Sequence, residues 1–339
     1  MVVAAITAGA SAAWIAQASS GATRIPLIDM GSQTYEGFGG GLYENGTNGV
    51  PADHASVGRS RSALVRPLDR SGAPSPTGKI VLLSIGMSNT SDEWCGTASN
   101  CTSPSAASFM GKAGASASVN HSTLSIVNGA QGGQDAKTWT SPSASNYDMV
   151  KNSRLAPLGL SERQVQVIWL KEADARPSVA LPSASADAYA LETNLGAILR
   201  ALSVRYPNLH GVFLSSRIYA GYATTTLNPE PYAYESGFSV KWLVQAQIDQ
   251  MRNNGTVVDA RAGDLNYNGA SSWIAWGPYL WADGTNPRSD GLRWLRSDFQ
   301  SDGTHPSTSG IGKVSTMLMR FFLNSRFTKC WFSAAGCSA

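Results

Sequence analysis

The sequence predicts an α/β protein whose mostly parallel sheet is covered on both faces, and three observations carry that expectation. Short, nearly continuous apolar runs stand at 80–85, 123–127, 165–170 and 211–215, with a weaker fifth at 256–259. Runs without in–out alternation are what strands buried on both faces present. Stretches of helical spacing lie at 185–205, at 234–251 and beyond His305. Strands alternating with helices imply crossover connections, which make neighbouring strands parallel. Finally, each of the first four runs ends in a polar or glycine-rich segment, and parallel sheets place their sites at the carboxyl ends of strands.

Taken in order, residues 1–20 are apolar and small, and Ala16-Gln17-Ala18 has the small-x-small form of a signal-peptidase site. Residues 1–18 are therefore read as an export signal, although no basic residue opens them. Gly, Ser and Thr interrupt the stretch and make it a poor membrane anchor, so no membrane span is expected. Residues 19–78 are rich in Gly, Ser, Pro and Asn and lack sustained periodicity. They are expected to form a loop-rich segment, with short strands at most, packed on the main domain.

Residues 79–339 read as one domain, without an internal repeat or linker. The 185–205 helix would pack through Ala188, Leu191, Leu195, Ile198, Leu199 and Leu202. The next would pack through Phe238, Trp242, Ala246 and Ile248, and the last through Ile311, Val314, Leu318, Phe321 and Phe322.

Composition narrows the function classes. Only 14% of residues are charged and the net charge of +3 is spread without a Lys/Arg run, so a nucleic-acid partner is not expected. Four cysteines form two close pairs, Cys95 with Cys101 and Cys330 with Cys337. Three connectivities are open, and local pairing is the expectation. Disulfides and an export signal together predict a secreted or periplasmic protein. There is no HExxH, no clustered histidine, no cysteine ligand spacing and no phosphate loop, so neither a metal nor another cofactor is expected.

Three segments at the strand ends can carry chemistry. In Gly86-Met87-Ser88-Asn89-Thr90, a serine closes the first apolar run, where a tight strand-to-helix turn lifts its hydroxyl above the sheet. The G-x-S-x-G elbow is absent, since position 90 is Thr. Gly132-Gly133 follows the second run, and glycines let a ligand approach backbone amides closely. In Asp302-Gly303-Thr304-His305-Pro306, a histidine has an acid three residues upstream in a loop that feeds a helix. A serine hydroxyl needs a base, and histidine oriented by a carboxylate supplies one. Of the four histidines, His54, His121 and His210 lie in surroundings that read as structural.

At these residues the chain resembles the SGNH (GDSL-type) hydrolase superfamily, over roughly residues 79–325. GMSNT is similar to its nucleophile block, which implies Ser88 as nucleophile. NGAQGGQDAKTW is similar to its glycine block in the GG-x-x-x-x-W form of the carbohydrate acetylesterase (sialate O-acetylesterase-like) branch. That likeness implies Gly133 as an oxyanion donor beside the Ser88 amide. DGTHPS resembles the D-x-x-H block and implies Asp302 and His305 as the acid–base pair. The resemblance further implies a three-layer α/β/α sandwich of flavodoxin-like topology.

One block departs from the pattern. Where the family has G-x-N-D, with Asn as a third oxyanion donor, this chain has Lys171-Glu172-Ala173-Asp174. Losing one such donor typically costs about 2.7–4 kcal/mol of transition-state stabilisation. Lys171 is the expected replacement, an exposed lysine at a strand end being the alternative. Gly132, Gln134 and Arg217 are expected to meet substrate, although Arg217 could equally pair with a structural carboxylate.

The expected activity is hydrolysis of carboxylic esters, acetyl esters on small molecules or glycans first among them. Tryptophans at 273, 276, 281 and 294 in the 264–299 insert can stack on sugars or simply pack the insert. The alternatives are a non-catalytic glycan-binding protein on a degenerate esterase fold, or a lipase or thioesterase of the same superfamily.

Overall fold

In the computed structural model, which describes residues 23–96 and 101–337, five strands form one parallel sheet. They are β1 (Ile80–Gly86), β2 (Leu124–Asn128), β3 (Val165–Lys171), β4 (Gly211–Leu214) and β5 (Trp273–Trp276), in the order β2-β1-β3-β4-β5. That order is the flavodoxin-like one, with β1 next to the β2 edge and the winding reversing between β1 and β3. The register pairs Gly86 with Lys171, so the ends of β1 and β3 lie level.

The longer helices are α1 (Ala52–Ser62), α2 (Ser88–Cys95), α3 (Phe109–Ala115), α4 (Asp187–Arg205), α5 (Tyr232–Arg252) and α6 (Thr308–Asn324). Alternation along the strands sorts them into two layers. Val81, Leu83 and Ile85 join Ile168, Leu170, Val212 and Leu214 in the core that α4 and α5 cover. Ile80, Leu82, Val167, Trp169 and Phe213 point the other way, against Trp94 of α2, Phe109 of α3 and Leu318 and Phe322 of α6. Residues one apart on a strand face opposite sides, so each run feeds two cores and is mostly apolar, with buried polar exceptions such as Ser84 and Gln166 hydrogen-bonded. The result is a three-layer α/β/α sandwich.

Two expectations need correction. The run at 256–259 is not a strand: Val257 and Val258 stand 43% and 48% exposed. The fifth strand is instead Trp273–Trp276, within the stretch read as an insert. Only four residues long, it sends Trp273 and Ala275 to one core and Ile274 and Trp276 to the other. The insert's tryptophans therefore pack rather than stack on ligands. All four are at most 4% exposed, and their indole N–H groups donate to His54 O, Leu42 O, Glu230 and Leu280 O.

The second correction lies in the N-terminal segment, where α1 forms although its sequence is mostly small and polar. Gly58 brings its backbone so close to the Trp273 indole that no Cβ would fit, and His54 Nε2 meets Ile274 O at 2.8 Å. Contact with β5, rather than an apolar stripe, seats this helix. Ahead of it, Thr34–Tyr35 and Phe38–Gly39 pair as a small antiparallel ribbon.

Both disulfides are local, Cys95–Cys101 and Cys330–Cys337. No helix among the described residues is long and apolar enough to cross a membrane. The expected signal at 1–18 lies outside the described residues.

Candidate active site

Ser88 is the first residue of α2, immediately above the carboxyl end of strand β1. The turn that delivers it is tight because Gly86 has no side chain. A Cβ there would collide with Lys171 O and with Thr90. Thr90 Oγ1 donates to Lys171 O at 2.6 Å and holds α2 against the end of β3. The first hydrogen bond closing the helix runs from Ser91 N to Met87 O. The amides of Ser88, Asn89 and Thr90 thus have no intrahelical acceptor, and the positive end of the helix dipole lies at the serine.

His305 comes from the loop between β5 and α6. Asp302 Oδ1 accepts the amides of Thr304 and His305, each at 3.0 Å, which folds the loop around the carboxylate. Gly303 makes the bend at φ 64°, and a Cβ there would collide with the Tyr222 backbone. Asn89 Nδ2, next to the serine, donates to Thr304 O at 2.9 Å and ties α2 to this loop.

Across 217 residues of sequence, Ser88 Oγ then lies 2.8 Å from His305 Nε2. On the other side of the ring, His305 Nδ1 lies 2.5 Å from Asp302 Oδ2. With Nδ1–H donating to the carboxylate, Nε2 is left to accept the serine proton. Burial pushes the Asp302 carboxyl up, but hydrogen bonds from the His305 ring and from the two amides outweigh it. The net shift is below the ordinary carboxylate range, so Asp302 is an anion at neutral pH. Asp92, one turn along α2 from Ser88, is raised by burial to about 6, with His305 opposing that shift.

The serine and histidine open onto a cavity of about 520 Å³. Gly132, Gly133, Gln134 and Arg217 all line it, so the structure gathers the sequence-predicted binding residues around Ser88. Gly133 has φ 77°, a left-handed conformation that glycine adopts without strain. A second cavity of about 530 Å³, lined by Asp69, Arg70, Lys79 and Gln164, lies near the amino ends of β1 and β3 and holds no such pair.

Lys171 is corrected. Its side chain is fully buried, and its Nζ lies 2.6 Å from both Glu93 oxygens on the helix side of the sheet, outside the cavity lining. Burial lowers its pKa to about 8, against the pull of Glu93. With its ammonium turned to Glu93 and outside the cavity lining, Lys171 is not placed to donate to an oxyanion in the cleft. Ala173 does line the cavity but has only a methyl to offer, and its amide meets Glu172 Oε2 at 3.3 Å.

Sequence reasoning missed Asn89, Asp135, Asp174, Asn228 and Thr304, all of which line the same cavity. Asp135 and Asp174 stand within the glycine-rich and KEAD segments and were legible as strand-end polar residues. Asn228 arrives on a long loop after β4 and carried no signal. Burial raises Asp174 to about 6, with Lys137 and the Asn194 amide opposing. Among the described residues no cluster of side chains could hold a metal ion.

No protein-family model matches the sequence. No match to a curated protein reaches significance. Solved structures do match. One is a carbohydrate esterase family 2 enzyme with a carbohydrate-binding domain from Corynascus thermopiles (Myceliophthora fergusii), 12% identical, with a TM-score of 0.36 over 73% of this chain and 66% of that one. Another is an extracellular lipase from Streptomyces rimosus, 14% identical, with a TM-score of 0.32 over 71% and 99%. A salicylyl-acyltransferase from a tetracycline biosynthetic pathway is 14% identical, with a TM-score of 0.36 over 74% of this chain and 55% of its own. The likeness is distant, and function is read from the site's own geometry.

Proposed function

We propose that this chain is a serine ester hydrolase of the SGNH (GDSL-type) superfamily, acting on carboxylic esters, with acetyl esters of carbohydrates as the preferred class. The observation that carries the reading is the continuous Ser88–His305–Asp302 hydrogen-bond chain at the mouth of the 520 Å³ cavity.

In the mechanism, Ser88 Oγ attacks the ester carbonyl while His305 Nε2 takes its proton. Asp302 holds the ring and stabilises the imidazolium that forms. The Ser88 amide and the Gly133 amide serve the tetrahedral oxyanion, helped by the positive end of α2. His305 then protonates the departing alcohol, and water activated by the same ring releases the acid. Gln134, Asp135 and Asn228 supply acceptors and donors for a hydroxylated alcohol, which favours a sugar ester over a long acyl chain. The two local disulfides support an extracellular or periplasmic setting.

The test is a short-chain chromogenic ester assayed with wild type and with Ser88→Ala. Turnover by the wild type and its loss in the variant support the reading. Equal rates in the two remove it. Acetylated sugars compared with longer acyl esters then sort the substrate class.

A further inference from the structure

Arg217 follows β4, two strands away from the one that delivers Ser88, yet its guanidinium reaches Met87, the residue just before the nucleophile. The side chain crosses the end of β3 between them. Ala173, just beyond β3, lines the same cavity as Arg217.

The guanidinium is a buried charge in no direct ion pair with a described residue; Glu93, Glu230, Asp302 and Glu172 act on it only from a distance. Arg217 is 1% exposed, and the one polar contact its side chain makes with a described residue is Nη1 to Met87 Sδ at 3.9 Å. Nε and Nη2 have no hydrogen-bond partner. These two atoms form the side-on edge of the guanidinium, the edge that grips two oxygens of one planar anion.

The nearby acids are committed elsewhere. Glu93 is taken by Lys171. Glu230 accepts from Trp281, Ala220 and Tyr234. Asp302 holds His305. Glu172 is fully buried, burial raises its carboxyl well above the usual range, and its Oε2 accepts the Ala173 amide. A buried cation left unpaired is costly unless something supplies the missing charge.

From the unpartnered Nε/Nη2 edge, the cavity that Arg217 lines and the lack of a carboxylate in contact with it, we infer that the site takes esters that themselves carry a carboxylate. This rests on the ester-hydrolase reading above and adds the substrate's charge to it. The carboxylate binds at the cavity floor on Arg217 while the ester carbonyl sits at Ser88. Nε and Nη2 are covered in this structure, so binding of the anion requires the guanidinium to turn toward the cavity. The carboxylate can belong to the alcohol, as in an acetylated uronic acid, or to the acyl group, as in a dicarboxylic half-ester.

The experiment uses matched pairs with the full chain. On the alcohol side, O-acetylated glucuronic acid is compared with O-acetylated glucose. On the acyl side, the 4-nitrophenyl half-ester of glutaric acid is compared with 4-nitrophenyl valerate. The wild type is expected to favour the anionic member of at least one pair by about 10–100-fold in kcat/KM. Arg217→Met is expected to erase that preference through KM for the anionic ester, and Arg217→Lys to retain part of it.

No preference in either pair overturns the inference. So does a uniform fall in kcat on charged and neutral esters alike, which would assign Arg217 to the transition-state oxyanion. If the wild type hydrolyses none of the four, the ester-hydrolase reading fails by itself. Calorimetric binding of glucuronate and glutarate against glucose and valerate then decides the anion site, and equal binding overturns it. Because Arg217→Met can disturb folding, its melting curve is recorded, and the wild-type preference alone suffices to reject the inference.

Discussion

Lys171 Nζ lies 2.6 Å from each carboxylate oxygen of Glu93, with both side chains fully buried beneath the helix that begins at Ser88. The pair pins α2 to the end of β3 from below, as Thr90 does from above. Removing one partner strands the other charge in the core. Glu93→Leu alone and Lys171→Met alone are each expected to destabilise the protein by about 3–5 kcal/mol. The double replacement should recover most of that in denaturant unfolding. It should also keep ester turnover within about tenfold of wild type, whereas loss of a true oxyanion donor costs about 10²–10³ in kcat. A double variant that is well folded but inactive would return Lys171 to the reaction.

Ser88→Ala is expected to lower kcat by at least about 10³-fold without changing the melting temperature. The serine makes its side-chain hydrogen bond to His305 and none that ties elements of the core together. Steady-state assay and thermal melting on the same preparation check both halves.

Asp302→Asn is expected to lower kcat by about 10⁴-fold, since an amide can present an N–H to Nδ1 and fix the wrong tautomer. The variant also weakens the loop, because Oδ1 organises the Thr304 and His305 amides. Asparagine keeps one acceptor for them, so the loss should appear mainly in kcat. A variant with ordinary activity would show that the carboxylate plays no electrostatic part.

Glu235 makes the fold sensitive to pH. Its carboxyl is buried on α5, accepting from Tyr35 Oη and from the Leu181 amide, each at 3.1 Å, and burial raises it to about 7. An unfolded glutamate titrates near 4.3, so the folded state holds a proton that the unfolded chain releases between those values. The associated stability is present below about pH 4.3 and is lost as pH rises to about 7, on the order of 3 kcal/mol in all. Glu235→Gln mimics the protonated acid and should gain on wild type steadily from pH 5 to 7.5. Parallel stability curves for the two proteins would refute this.

How much was readable in advance depended on how local the signal was. Runs buried on both faces identified β1 to β4, because a strand covered by two helical layers is mostly apolar along its whole length. Strand β5 escaped because four residues of Trp-Ile-Ala-Trp look no different from an aromatic loop. Helix α1 escaped because its packing uses the bareness of Gly58 against Trp273 rather than an apolar stripe.

The sequence by itself determined the layer architecture and the chemical groups at the strand ends: the serine turn, the glycine pair and the Asp-x-x-His loop. These follow from short-range rules of burial period, turn geometry and acid–base chemistry, all of which act within a few residues. Only the tertiary structure decided which of those groups meet. It brought Ser88 to His305, turned Lys171 away to Glu93 and carried Arg217 across the end of β3 to Met87. Which face of the sheet a strand-end side chain takes, and which charges remain for it there, depends on register and on neighbours far along the chain.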